Sequence, residues 1–542
     1  MTFNSIEFLF FYPIVLLLYF LLPKCARWPM LLLASYVFYM SYRAELVILI
    51  FSTTLVSYLS SIAIEKSRSS AMKRLYLTLT LLTSLGVLFF YKYFDFLSGT
   101  FFDLASRFGY TGSPLLLNLV LPVGISFYTF QTLSYVIDVY RGLPAERNFF
   151  FYALFVSFFP QLVAGPIERP SNLMPQLRVA NKFSADNAIA GAKMMLIGFF
   201  KKICVADFIS GFVNSVYNEP SSASALAVII ATVLFAIQIY CDFSGYTDIA
   251  IGCARVMGIR LMKNFDRPYS AKTVREFWSR WHISLSSWFK DYLYIPLGGN
   301  RVSLPRNLLN VFIVFIVSGL WHGASWTFVL WGALHGIYQI VGRFTLPLRN
   351  LFWSFLDLSE SSFPVSLFRR INTFILVCFA WLLFRANSIS DAGILLAKLF
   401  LGLGALNLVL LLTVVPLLMV GAVFLIKIIK RSGASDGACL AAFIPMLAVA
   451  LLPLGFVIWN LSPITAASLM GITPMLCAIC VMSILLMVIF DRIVVYNGSE
   501  IGGSSHLVVG NGMFVVITAV ILLSWYFLLS SDMVSNFIYF QF

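Results

Sequence analysis

Residues 307–342 read NLLNVFIVFIVSGLWHGASWTFVLWGALHGIYQIVG, two apolar runs divided around Trp321–His322–Gly323, with no Lys, Arg, Asp or Glu anywhere in the stretch. The runs 307–320 and 325–342 have the texture of membrane helices, but both fall short of the roughly 20 residues that cross a hydrocarbon core. Similar runs cover 6–22, 28–42, 44–64, 75–94, 114–138, 149–165, 224–252, 371–385, 404–428, 440–459, 472–490 and 512–530. Of the 542 residues 60% are hydrophobic and 11% charged, against about 25% charged in soluble chains. The reading is an all-α polytopic membrane protein of roughly a dozen spanning helices, with the shorter runs re-entrant or interfacial and no large soluble domain. The first run has no basic residue before it and no small-residue cleavage site after it, so it is expected to remain as a helix.

Basic residues orient the chain. Lys24 and Arg27 follow the first run, Lys66, Arg68, Lys73 and Arg74 the third, and Arg141 and Arg147 the fifth. Cytoplasmic placement of all three loops puts the N-terminus on the outer face. The net charge is +14, and ten Lys or Arg face three acids between Arg255 and Arg306. Positive-inside bias on one long cytoplasmic loop explains this excess, and the same surface would suit an anionic donor or acidic carrier. A basic stretch lying between membrane segments does not point to nucleic acid. The cysteines are scattered; Cys477 and Cys480 form a CxxC without a second ligand pair, so neither a metal site nor a disulfide framework is expected.

Texture divides the chain. Residues 1–110 are plain apolar helices, 110–345 are interrupted by Pro, Gly, His, Trp and charge, and 400–542 return to plain runs. A core over 1–400, with its chemistry in 110–345, and C-terminal membrane helices over 401–542 follow. Two polar stripes at helical spacing, Gln131–Ser134–Asp138 and Gln238–Asp242–Tyr246, either bond helix to helix or line a substrate tunnel. Residues 273–289 read as one amphipathic interfacial helix, opened by the Thr273–Glu276 capping box and carrying Trp278, Trp281 and Trp288.

Of four histidines, His282, His322 and His335 cluster in the interrupted region. A neutral imidazole tolerates burial and is the natural general base near neutral pH. His322 leads: glycines flank it, and the helix expected from Ala324 would place it near an N-terminus whose free N–H groups could stabilise an oxyanion. His335 reads as a helix-packing residue pointing away from His322, and His506 as a solvated loop residue. Neither a nucleophile elbow nor a phosphate loop stands out. Histidine base catalysis and transport of a small solute without chemistry both remain open.

Three stretches carry a family resemblance: PQLVAGPIERPSNLMPQL at 160–177, CDFSGYTDIAIG at 241–252 continuing as NFDRPYSAKTVREFWSRWHISLSSWFKDYLYIPLGGNR at 264–301, and GLWHGASWTFVLWGALHG at 319–336. In wording, order and spacing they resemble the membrane-bound O-acyltransferases (MBOAT), specifically the AlgI-like branch that O-acetylates alginate and other exopolysaccharides. The resemblance implies a ring of tilted helices around a thinned centre, with funnels from both faces meeting at a histidine that falls on His322 and a second histidine that falls on His282. It further implies an acetyl group taken from a cytoplasmic thioester, acetyl-CoA or an acyl carrier, with no bound cofactor. The group would pass across a bacterial inner membrane to periplasmic partners such as an SGNH-type acetyltransferase or other polysaccharide-modification proteins. His322 would then activate the acceptor hydroxyl or briefly accept the acyl group. Arg280, Trp281 and His282 would order the donor end, Asp291 would hold His282, and Trp321, Gln238 and Asp242 would line the passage. A DltB-like D-alanyl transferase, which shares the fold and the histidine pair, is the nearest alternative to this reading.

Overall fold

The computed structural model describes residues 1–401 except 164, 357 and 360. The runs 404–428, 440–459, 472–490 and 512–530, Cys477, Cys480, His506 and all but the first residue of the C-terminal part 401–542 lie outside the described residues. Among the described residues every regular element is helical. Five stretches are long and apolar enough to cross a membrane: Ala44–Lys66, Ser70–Ser106, Ala225–Val256, Leu304–His322 and Val365–Arg385, while Ile6–Leu21 is apolar but shorter.

The N-terminal helices are α1 (Ile6–Leu21), α2 (Lys24–Met40), α3 (Val47–Lys66), α4 (Ser70–Leu88) and α5 (Phe94–Ser106). Helix α6 follows over Ile125–Tyr140, so the expected run 114–138 is helical only in its second half. Gly112, Pro114, Pro122 and Gly124 interrupt the first half, Asn118 takes a left-handed φ of 49°, and Asp95 accepts the Leu117 and Asn118 N–H groups at 2.8 and 3.0 Å. Gly124 has φ +75°, and a Cβ there would sit 2.7 Å from the Leu162 carbonyl oxygen. Only glycine opens α6 in this place.

The run 149–165 is a buried pair, α7 (Phe149–Ser157) and α8 (Phe159–Leu162), broken at Phe158 and started by Asn148, whose side chain accepts from Phe150 and Phe151 N–H. After α9 (Pro170–Arg178) come α10 (Ala185–Phe199) and α11 (Phe208–Asn218), which hydropathy alone did not separate because Lys193, Lys201 and Lys202 punctuate them. They pack on α12 (Ala225–Val256), the central helix of the bundle. Gly191 and Gly198 of α10 face Gly252 and Gly245 of α12 so closely that a Cβ on any of them would meet the opposite backbone. Small residues at such spacing let membrane helices approach.

The expected single helix 273–289 is two: α13 (Val274–Arg280) and α14 (Ile283–Phe289), separated by Trp281 and by His282, which has φ 45° and ψ 54°. The capping box does open α13, with Thr273 Oγ1 accepting Glu276 N–H at 3.0 Å. Its indoles do not lie out at headgroup level: Trp278, Trp281 and Trp288 are all buried within the protein. The region closes with the hairpin of α15 (Leu304–His322) and α16 (Trp326–Phe344), followed by α17 (Leu346–Phe355), α18 (Phe363–Arg385) and α19 (Ile389–Leu401). The hairpin crosses at Gly319 and Gly332, where a Cβ on either would strike a backbone carbonyl of the other helix.

Three π-helical segments occur among the described residues, Phe89–Tyr93, Phe200–Asp207 and Lys290–Tyr294. Each widens a helix by the inserted residue and presents a charged side chain to another element. From the second, Lys202 reaches Asp207 at 2.9 Å and Asp242 of α12 at 2.7 Å, and Lys201 reaches Asp248 at 2.9 Å. Charge inside a membrane bundle pairs with opposite charge in this way or with backbone carbonyls.

Candidate active site

His322 is the last residue of α15, and α16 begins only at Trp326. The expectation of a helix N-terminus at His322 is therefore reversed: carbonyls rather than N–H groups crowd this end. Two residues of the first π segment take up those carbonyls. Lys92 Nζ donates to Trp321 O at 2.7 Å and to His322 O at 3.2 Å, and Tyr93 OH donates to Leu320 O at 2.8 Å. The backbone of His322 is thus held from outside its own hairpin.

The imidazole of His322 is walled by aromatic rings. Trp321 stands at 4.9 Å between centroids, Trp331 of α16 at 5.0 Å and Phe384 of α18 at 5.4 Å, each at a steep interplanar angle. Trp331 also touches His335 at 5.0 Å. His335 therefore lies on the same side as His322 with the indole between them, because the chain reverses at 323–325 instead of continuing as one helix. Its Nδ1 accepts the Trp278 indole N–H at 3.2 Å, which ties α13 to α16 in the packing role expected of it.

His282 reaches the same place from the other motif. Its ring lies 5.7 Å from Trp321, 4.7 Å from Phe243 of α12 and 6.5 Å from Phe127 of α6. The left-handed backbone at His282, a conformation disfavoured for any residue with a Cβ, sits at the break between α13 and α14. Asn264 holds it, with Oδ1 3.0 Å from His282 Nδ1. The same oxygen accepts from Ser284 N–H at 3.3 Å and Ser284 Oγ–H at 2.9 Å. Complete burial pushes the His282 pKa down to about 3, so the ring is neutral.

Asp291 does not hold His282: its carboxylate pairs with Arg169 at 3.0 Å. Arg280 turns away as well, bonding Glu276 at 2.7 Å and Ser270 at 3.2 Å, while Trp281 is buried against Phe277 and Trp381. Gln238 is buried on α12 with its carbonyl oxygen unpartnered among the described residues, and Asp242 is bound to Lys202. Trp321 alone of the expected lining residues stands between the two histidines.

The loop at 165–169 locks the motifs together. Ile167 N–H donates to Ser284 Oγ at 3.0 Å. The buried Glu168 carboxylate accepts from Asn172 at 2.6 Å and from the Met262 N–H. Burial, opposed by those two bonds, raises the Glu168 pKa to about 7. Asn264, Lys92, Trp331, Lys202 and Phe384 were not singled out from sequence; the only trace was a lone cation in FFYKYF at 89–94 and a Lys pair in FFKKICVAD at 199–207.

Two buried histidines of this helical membrane protein flank one indole, and comparison with known proteins gives its class. Residues 37–385 match the membrane-bound O-acyltransferase (MBOAT) family. The chain is 37% identical over 399 residues to the probable alginate O-acetylase AlgI of Pseudomonas aeruginosa, covering 72% of this chain and 73% of that protein. It is 35% identical over 450 residues to the peptidoglycan O-acetyltransferase of Helicobacter pylori, covering 75% and 80%. A shorter match, 29% over 244 residues and 42% of this chain, links it to the teichoic acid D-alanyltransferase of Bacillus subtilis. The chain belongs to the membrane-bound O-acyltransferase family and is an O-acyltransferase.

Proposed function

We propose that this O-acyltransferase moves an acetyl group from a cytoplasmic thioester, acetyl-CoA or an acyl carrier, across a bacterial inner membrane for O-acetylation of an exopolysaccharide such as alginate. The observation that carries the site is the convergence of His322 and His282 on Trp321, from two motifs forty residues apart. The alginate O-acetylases and the peptidoglycan O-acetyltransferase among its relatives support acetyl as the group.

His322 acts as general base. Its imidazole takes the proton of an acceptor hydroxyl, the oxygen attacks the thioester carbonyl, the C–S bond breaks, and the imidazolium returns the proton to the departing thiolate. The acceptor hydroxyl belongs to the polysaccharide or to a periplasmic partner, such as an SGNH-type acetyltransferase, that modifies it. His282, held neutral by its surroundings, orders the donor end. Basic loops on the cytoplasmic side and an outer N-terminus agree with this direction.

Inside-out membrane vesicles supplied with radiolabelled acetyl-CoA, or with radiolabelled D-alanyl carrier protein, test the donor. Acetyl label protected within the vesicles is the expected result. Label entering only from the D-alanyl thioester would replace acetyl with D-alanyl. Neither label entering would contradict both donors.

A further inference from the structure

We infer that Lys92 is a positioning residue for His322, an inference that rests on the reading of His322 as the base. A helix leaves its last carbonyls without intrahelical donors, and at the end of α15 those of Leu320, Trp321 and His322 are taken by Tyr93 OH and Lys92 Nζ. Both donors come from one π segment, more than two hundred residues earlier in the chain. In a regular α-helix the residues of that turn would be rotated differently, and π insertions recur where a side chain must be aimed.

Lys92 lies in the apolar stretch Ser70–Ser106, where an ammonium group is costly. The end of α15 gives the Lys92 N–H donors partners there, the Trp321 and His322 carbonyls, whose dipoles favour positive charge at a helix C-terminus. Its two bonds straddle the Trp321–His322 peptide, the link between the indole that both histidines touch and the proposed base. With the backbone fixed there and Trp321, Trp331 and Phe384 around the ring, the imidazole has one defined place to stand. A base displaced by about 1 Å from its working geometry loses on the order of a hundredfold in rate.

The test compares Lys92→Met, Lys92→Arg and His322→Ala in the full-length protein in membranes, with kcat and KM for labelled acetyl-CoA measured at matched abundance. Lys92→Met is expected to lower kcat by about tenfold to a hundredfold while KM stays within about twofold, and Lys92→Arg to recover part of the loss. Wild-type kcat in Lys92→Met would overturn the inference, as would a rise in KM alone or a failure of Lys92→Arg to recover any activity. If Lys92→Met does not accumulate, Lys92→Gln, whose shorter side chain cannot keep both bonds to the Trp321–His322 peptide, carries the same comparison. An active His322→Ala would overturn the reading of His322 itself, whereas an inactive His322→Ala beside a fully active Lys92→Met would overturn only the role of Lys92.

Discussion

Asn264 and His282 share one contact, Oδ1 to Nδ1 at 3.0 Å, and that contact fixes which imidazole nitrogen carries the proton. The Ser284 backbone N–H also points at the Asn264 atom, at 3.3 Å, and a backbone N–H can only donate. The atom is therefore the amide oxygen, His282 donates from Nδ1, and the lone pair of the neutral ring sits on Nε2, which has no partner among the described residues.

Asn264→Ala removes the acceptor for His282 and for both Ser284 donors. Leaving buried donors unsatisfied costs about 1–3 kcal/mol, so the thermal midpoint in detergent should fall. The transfer rate at saturating donor should fall with it by about tenfold as the ring loses its fixed tautomer. An unchanged rate in a destabilised variant would mean that the tautomer of His282 does not matter to transfer.

Glu168 gives a pH-dependent signature. Its folded pKa, near 7, lies above the ordinary 4.5, so the folded state holds a proton that the unfolded state has lost between those values. The stability this contributes is full below pH 4.5 and is lost as pH rises through about 7. Glu168→Gln cannot ionise, so its thermal midpoint relative to wild type should climb between pH 6 and pH 8. A flat difference over that interval would show that the carboxyl is already ionised at pH 6.

The Lys202 pair with Asp207 and Asp242 should be structural. Lys202→Met takes the cation from between two buried carboxylates, and breaking a buried pair from one side costs about 3–5 kcal/mol. Membrane abundance should drop sharply. Asp242→Asn leaves Asp207 still 2.9 Å from the ammonium and should cost less. Equal loss from both variants would contradict that ranking.

Much of the fold was legible because apolar length is a local property: α2, α3, α12, α16 and α18 fall where the hydropathy runs are. The run at 114–124 was not, since composition counts its leucines but not the turns that Pro114, Pro122 and the glycines impose. The Thr273–Glu276 capping box and the spacing of Trp278, Trp281 and Trp288 suggest one helix over 273–289, yet tertiary contacts bend the chain at His282: Ile283 N–H bonds Asn264 O, and Asp266 N–H bonds Arg280 O, both at 2.9 Å. His322 stood out from its glycine and tryptophan neighbours, whereas Lys92 and Asn264 act through contacts between distant segments that leave no periodic trace. The assignment of Asp291 to His282 failed for a related reason: they lie nine positions apart, but Arg169 from another loop claims the carboxylate.

If His322 supplies the base for acyl transfer, wild type and His322→Ala compared at matched membrane abundance must differ in transfer. Radiolabelled acetyl is followed from acetyl-CoA into the cell-surface fraction. Label is expected outside with wild type and none above background with His322→Ala; equal labelling from the two would remove His322 as the base.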